Sequence, residues 1–320
     1  MERIVTILGG GPAGAAAAIA AGREGCLPQV IEKSKFPRHK VCGEFFSPEI
    51  QIELERLGVW DAFLASDPAR VRRMKLHFGR REKVCCFPEP GWGLSRFAFD
   101  ALMFDRAQAS PAESRDPAVI ACGRRTVESR GQRLFGFKAH FEGPCDDAVE
   151  LFFFDRCYVG VSAIEGGRTN VCGLGPEDVL RRFDFDFDRV VYYSPALSAR
   201  VGPLTRSMKW LSTGPLHFRQ TFDPDHKAYL AGDALSFVDP FTGSGLVAAV
   251  KTGALAGIAA ARGLPVSEYC AQSRTMLKKP FEIAGIFRKA VGGGWAEWLA
   301  GLVPGRVLFA LTRPGNHSCQ

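Results

Sequence analysis

The sequence is short of the features that most readily fix a function. No uninterrupted apolar stretch reaches the length of a bilayer span, so no membrane-crossing segment is expected. The first residues enter a strand pattern without a basic n-region or cleavage site, so no secretory leader is expected and a cytoplasmic location is anticipated. Lys and Arg outnumber Asp and Glu by 41 to 34, giving a net charge of +7, yet the basic residues are scattered in short pairs such as Arg72-Arg73 and Arg80-Arg81. Nothing in that pattern marks a nucleic-acid surface. The sequence holds 10 cysteines but no Cys-x-x-Cys pair and no Cys/His metal pattern, so reduced, mostly buried thiols are expected and no metal. No Gly-x-Ser-x-Gly elbow occurs, which argues against a hydrolase triad. His77, His140, His217 and His226 show no spacing that suggests ligation. There is no internal repeat and no low-complexity tract.

What is present begins at once. Ile4 to Leu8 is apolar and rich in β-branched residues. Gly9-Gly10-Gly11-Pro12-Ala13-Gly14 follows, then an Ala-rich stretch to Gly25, then Gln29-Val30-Ile31 ending on Glu32. Strand, glycine turn, helix, strand and acid in this order form a dinucleotide-binding βαβ unit. Gly9 permits the sharp turn, Gly11 lets backbone approach a pyrophosphate, and Gly14 lets the helix pack on the sheet. The helix N-terminus, with Pro12 and Ala13, offers free N–H groups to phosphate. Glu32 is placed to accept hydrogen bonds from a ribose.

Downstream, Lys33 to Ser47 is a loop in which Arg38, His39 and Lys40 gather positive charge, suited to offset phosphates. Ser47 with Pro48 predicts a helix start running to about Leu57. Residues 70–88 predict a hairpin turning at Gly79-Arg80-Arg81. Arg96 to Ala109 predicts a helix with Arg96 and Asp100 one turn apart. Ser110 to Pro117 reads as a connection. Runs at 134–141, 149–154, 157–164 and 169–174 predict a multi-stranded antiparallel sheet with a turn at Gly166-Gly167, and a short helix is expected near 177–183. A buried strand at Ala228–Ala231 leads through Gly232-Asp233-Ala234 and Asp239-Pro240-Phe241-Thr242-Gly243-Ser244-Gly245 into a small-residue helix from about Leu246 to Ala261. Residues 268–291 and 295–311 read as helices.

Four blocks, Gly9–Gly14 with Glu32, Phe36 to Glu44, Gly93 to Arg96 with Asp100, and Gly232 to Gly245, resemble the FAD-dependent oxidoreductases of the geranylgeranyl-reductase type. These lie within the p-hydroxybenzoate-hydroxylase-like flavoprotein superfamily. A weaker fifth block runs from Tyr158-Val159-Gly160-Val161 to Val171. The resemblance spans residues 1 to about 265. It implies an α/β (α+β) fold: a Rossmann-type FAD-binding part (1–70, 90–132 and 224–265) interleaved with an antiparallel-sheet substrate part (71–89 and 133–223), then a helical C-terminal region (266–320). It implies FAD bound by Gly9, Gly11, Pro12, Ala13, Gly14, Glu32, Lys33, Arg38, Lys40, Val41, Cys42, Arg96, Gly232, Asp233, Pro240, Gly243, Ser244 and Gly245. Asp233 would reach the ribityl chain or pyrophosphate, Pro240 would line the flavin face, and the N–H groups of Gly243 to Gly245 would face the flavin edge where charge builds on reduction. Cys42, in the Lys-x-Cys-Gly motif, is the candidate catalytic residue, a proton donor during alkene reduction; the plainer reading is a small thiol beside the ring. NAD(P)H is the implied electron donor.

The pattern departs from the family at 110–117, where a longer segment with an adenine-side strand is usual, and at Cys122-Gly123, where Asp-Gly is usual. Three functions follow as expectations. The first is reduction of a hydrophobic prenyl or polyketide-like C=C bond, the second an NAD(P)H- and O2-dependent monooxygenase, the third a non-catalytic flavin or nucleotide binder. A halogenase is disfavoured because no Trp-x-Trp-x-Ile-Pro element occurs. The basic, apolar C-terminal helices suggest a peripheral membrane contact.

Overall fold

The computed structural model describes residues 3–112, 116–123, 133–216, 218–237 and 243–292. The chain builds two sheets. Ile4–Leu8 (β1) leads into helix Pro12–Arg23 (α1) and strand Leu27–Ile31 (β2), the expected βαβ unit. Phe45–Phe46 (β3) is followed by Ile50–Arg56 (α2) and Trp60–Ala65 (α3), then the long hairpin Ala69–Phe78 (β4) and Arg81–Gly93 (β5). Arg96–Arg106 (α4) precedes two short strands, Ser110–Pro111 (β6) and Val119–Ile120 (β7). The meander follows: Leu134–Glu142 (β8), Ala148–Phe154 (β9), Cys157–Ile164 (β10) and Arg168–Pro176 (β11). Three short helices come next, Glu177–Arg181 (α5), Phe187–Tyr193 (α6) and Pro195–Val201 (α7), then Thr205–Arg206 (β12), Leu211–Leu216 (β13) and Tyr229–Leu230 (β14). Two long helices close the described chain, Gly245–Arg262 (α8) and Val266–Gly292 (α9).

The first sheet has the order β14-β7-β1-β2-β6, and its pairs are parallel. Its strands are buried and apolar because helices cover it, with α1 and α8 packed on each other and on β1. The second sheet runs β12-β8-β11-β10-β9-β4-β5-β3, with β13 also pairing β8. One pair in it, β4 with β9, is parallel, so the sheet is mixed where an antiparallel one was expected. The hairpin strand β4 arrives from a distant part of the chain and meets the meander edge-on, which leaves its direction free of any tight turn.

Three further local expectations change. The helix expected from Ser47 starts later, at Ile50, with Glu49 as an N-cap that makes no side-chain bond. The segment read as a connection after α4 carries β6, which extends the first sheet beside β2 through Gln29↔Ser110 and Val30↔Pro111. The single helix expected near 177–183 is α5, and α6 and α7 follow it to cover one face of the second sheet. The expected helix at 295–311 lies outside the described residues.

α8 is, among the described residues, the one helix long and apolar enough to cross a membrane by length and composition; half of it is buried inside the protein. Its burial has a steric cause. A Cβ on Gly253 would lie 2.1 Å from the Ala13 carbonyl oxygen, and one on Gly257 2.2 Å from that of Ala17. The two helices therefore touch backbone to backbone, through small residues spaced four apart on each.

Candidate functional site

The close pairing of α1 and α8 brings the heads of both helices together. At the α1 head, Gly9 takes a φ of 102°, and a Cβ there would meet the Ala121 carbonyl oxygen at 2.5 Å. A Cβ on Gly14 would meet the Gly9 carbonyl oxygen at 1.7 Å, so only glycine lets the helix start against the strand. Gly11, the N-cap, makes no side-chain cap, and Pro12 follows it. The space where a Cβ of Gly11 would stand is open. Gly232 opens a turn of 3-10 helix with φ 59°, and a Cβ on it would touch Ala13. At the α8 head, Gly243 has φ 63° and lies against the Phe45 ring, with Ser244 as N-cap and Gly245 as the first helical residue. Pro240 lies outside the described residues.

Glu32 ends β2 with its carboxylate turned toward the glycine turn. Its Oε2 accepts the Gly10 N–H at 2.8 Å and its Oε1 the Ser34 N–H at 2.8 Å, while Arg38 approaches at 3.3 Å. Burial by itself raises its pKa; the Gly10 and Ser34 donors and the Arg38 charge outweigh that and hold it below the usual carboxylate range. Arg38 also donates to Ser34 Oγ and lies over the Phe36 ring, and its buried Nε has no partner in the described structure. Lys33 is exposed. Lys40 lies at the rim, within electrostatic reach of Arg38 and Arg96.

The loop from Arg38 to Glu44 then crosses to the second sheet. Val41 packs on β8: a Cβ on Gly136 would sit 3.2 Å from Val41 Cγ1. Asn170 of β11 donates from Nδ2 to the carbonyl oxygens of Cys42 at 3.1 Å and Gly43 at 2.9 Å. Lys138 of β8 donates to the Lys40 carbonyl oxygen at 3.1 Å. The Cys42 thiol lies within electrostatic reach of Arg96 at the head of α4, Glu44 and Lys138. Burial pushes its pKa up, with Arg96 and Lys138 pulling the other way.

The loop ends on Glu44, which is fully buried and takes a φ of 56°. Its Oε1 accepts the Arg96 backbone N–H at 2.6 Å and a bond from Lys138 Nζ; its Oε2 lies 2.7 Å from His140 Nε2. Burial raises its pKa, but the His140 bond and the Lys138 charge prevail, and the carboxylate stays ionised. Arg96 opens α4 behind its N-cap Ser95, and donates to Asp100 at 2.8 Å; Asp100 is fully buried. Arg96 also lies within reach of Cys42 and Asp233, so the glycine turn after β14, the loop and α4 meet at one guanidinium.

The structure thus gathers Gly9 to Gly14, Glu32, Arg38, Arg96, Cys42, Gly232, Asp233 and the Gly243–Gly245 turn into one region, with Val41 turned to the second sheet and Lys33 away at the surface. Sequence reasoning passed over Glu44, Lys138, His140 and Asn170 as site residues. A signal existed: Lys138 and His140 share one face of β8, interleaved with the buried Phe137, Ala139 and Phe141, and Asn170 stands opposite His140 across the ladder. The spacing of the histidines along the chain could not show it, because the pairing partner is a glutamate remote in sequence.

No family model matches the chain. Among solved structures, the flavin-dependent brominase Bmp2 superposes with a TM-score of 0.80 at 19% identity, covering 98% of this chain and 94% of that one. A flavoprotein/dehydrogenase from Cytophaga hutchinsonii gives 0.78 at 16% identity, covering 98% and 92%. A geranylgeranyl bacteriochlorophyll reductase-like protein from Thermoplasma acidophilum gives 0.67 at 17% identity, covering 98% and 92%. The chain therefore has the Rossmann-type flavoprotein fold, a parallel sheet joined to a separate mixed sheet. In sequence it is similar to menaquinone reductases: 46% identical over 55 residues to that of Mycolicibacterium smegmatis, and 38% identical over 101 residues to that of Mycobacterium tuberculosis. These matches span 13% and 24% of the length of those relatives.

Proposed function

We propose that the chain is an FAD-dependent oxidoreductase that reduces a C=C bond in a hydrophobic small molecule of prenyl or polyketide-like type. The observation that carries the reading is the convergence of the α1 and α8 heads, held by Gly253 and Gly257, upon one loop and the partly buried Arg96 guanidinium. The residues present fit the cofactor. The open space over Gly11 and the uncapped α1 head suit a pyrophosphate. The unpartnered Arg38 Nε is a buried donor awaiting an acceptor. Glu32 retains lone pairs for a ribose beyond its two N–H donors. Asp233, Gly243, Ser244 and Gly245 would hold the flavin end. When bound, FAD supplies the electron pair with one hydrogen, and the second hydrogen reaches the substrate as a proton.

The relatives' names give menaquinone, a hydrophobic molecule, as what those proteins reduce, and this favours a reductase over a monooxygenase. NAD(P)H as donor, a peripheral membrane contact and a cytoplasmic location belong to the same reading, with the cofactor part following the parallel sheet and the substrate part the mixed one. The test is reconstitution with FAD, reduction by NADPH or dithionite, and exposure to air or to a prenylated alkene. The expected result is near-stoichiometric yellow protein whose reduced form reoxidises slowly in air and turns over with alkene. Rapid reoxidation through a transient flavin–oxygen adduct would favour the monooxygenase instead. Failure to take up FAD would sink both.

A further inference from the structure

The Cys42 thiol is not isolated. Glu44 and Lys138 act on it electrostatically, and His140 is bonded to the same Glu44 carboxylate. Beyond His140 stands His39, its ring centroid 5.3 Å from that of His140 and edge-on to it. The other side of His39 stacks on Phe97 at 4.7 Å, and Phe97 is exposed. His39 is half-buried, and its Nδ1 is buried with no partner in the described structure. Lys138 and His140 are almost wholly buried, at 0% and 1% exposure. The groups therefore follow one another inward from the protein surface, Phe97 rim, His39, His140, then Glu44 with Lys138, and the last two lie within electrostatic reach of the Cys42 thiol.

We propose that His39, His140, Glu44 and Lys138 form a proton path from solvent to Cys42, with His39 as its entry. The inference rests on the reductase reading, because reducing a C=C bond consumes one proton from solvent per turnover. Cys42 gives its S–H proton to the substrate carbon that does not receive the cofactor's hydrogen, and becomes a thiolate facing Arg96 and Lys138. Lys138 returns a proton to that sulfur. Glu44, which binds Lys138 through Oε1 and His140 through Oε2, takes the replacement from His140 Nε2 on Oε2, and a turn of the carboxyl group presents it to the neutral Lys138 amine. His140 is reloaded from His39, whose ring stands edge-on to it in contact and whose buried Nδ1 has no other partner in the described structure. His39 takes its proton from solvent. No electron moves along the path, and each cycle transfers one proton.

The charged groups facing His39 are Lys138 and His140 from β8, Glu44 from the loop and Arg168 from β11. Burial, Lys138 and His140 lower its pKa, so it is neutral at neutral pH and poised to accept a proton and release it inward.

The test uses the full chain in two arms. In the holoprotein at saturating FAD, His39→Ala is expected to cut alkene turnover roughly 10²-fold, to shift the pH–rate profile, and to recover with added imidazole. Turnover of His39→Ala within two-fold of wild type across the pH range, or a loss that imidazole does not restore, overturns the path. In the apoprotein, peptide-resolved alkylation of Cys42 by iodoacetamide is followed against pH. Lys138→Met, or Glu44→Gln with Lys138→Met where the single variant does not fold, is expected to move the Cys42 midpoint. An unmoved midpoint overturns the coupling. A chain that takes up no FAD but shows the expected midpoint shift refutes the reductase reading and leaves the coupled cluster standing.

Discussion

Glu44 holds a left-handed backbone conformation, a φ of 56° that costs a non-glycine residue about 1 kcal/mol or more. That turn lets its buried carboxylate meet α4, through the Arg96 N–H, and β8, through Lys138 and His140. One side chain thus ties the loop carrying Cys42 to both sheets' neighbourhoods. Glu44→Gln leaves the Lys138 ammonium buried without a counter-charge, so the expected loss is about 3–5 kcal/mol in urea unfolding. Glu44→Gln with Lys138→Met removes both charges and is expected to recover most of it, since a buried pair contributes little net stability once its desolvation is counted. A double variant no more stable than the single one would show that the cluster is not an ion pair in the energetic sense. Glu44 was visible in the sequence only as the last letter of a motif. Its role depends on Lys138 and His140, more than ninety positions away, and no local pattern encodes that meeting.

At the scale of elements, the glycine turn, α1 and Glu32 were legible because each follows from a local rule: a β-branched run, glycines where backbone must come close, an acid at the strand end. The meander strands were legible for the same reason, by alternation and by the Gly166-Gly167 turn, both residues of which have positive φ. α6 and α7 were not, because Phe183-Asp184-Phe185-Asp186-Phe187 alternates as a strand would, while the packing of Phe187, Val190 and Leu197 on the sheet decides otherwise. β6 escaped because two residues form no pattern; only β2 beside it makes them a strand. The α1–α8 seam was half legible, as a run of small residues without a stated partner. Its tightness supports a definite prediction. Gly257→Ala places a methyl group 2.2 Å from the Ala17 carbonyl oxygen, which must force the helices apart. The expected cost is about 1–3 kcal/mol in thermal or urea unfolding, with weaker FAD uptake as the two helix heads separate. Gly263→Ala, at the left-handed cap of α8 with nothing within 4 Å, is the control: it strains only the cap and is expected to leave FAD uptake unchanged. Equal FAD uptake by Gly257→Ala and wild type would show that the seam does not position the site.

Across the whole molecule, buried ionisable groups join the parts and set how stability depends on pH. Glu32 lies at the parallel sheet, Glu44 between the loop and β8, and Glu150 on β9, where it binds Arg200 of α7 at 2.5 Å and His77 of β4 at 3.3 Å. In each, burial alone would raise the pKa, and hydrogen-bond donors and cations bring it below the ordinary 4.5. The unfolded chain therefore takes up protons before the folded one as pH falls past 4.5, and stability drops through that range. His39 adds a shallower slope of the same sign. Burial and its cationic neighbours hold it below the ordinary 6.5, so the unfolded chain binds the proton first below that pH. At the alkaline end the sign reverses. Burial pushes the Cys157 thiol up to about 12 and raises Cys42 and Cys172 above the ordinary 9.0, so above pH 9 the unfolded chain loses protons first. The melting temperature of the apoprotein, read by calorimetry from pH 3.5 to 10.5, is expected to be level between about 7 and 9 and to fall on both sides, most steeply below 4.5. Glu150→Gln, which takes the carboxylate from Arg200, is expected to lower the plateau and flatten the acid limb, because one of the three carboxylates no longer releases its proton on folding. A melting temperature that holds or rises between pH 5 and 3.5 would mean that these carboxylates are not ionised in the folded protein, and that the charged cluster around Glu44 is not the joint described.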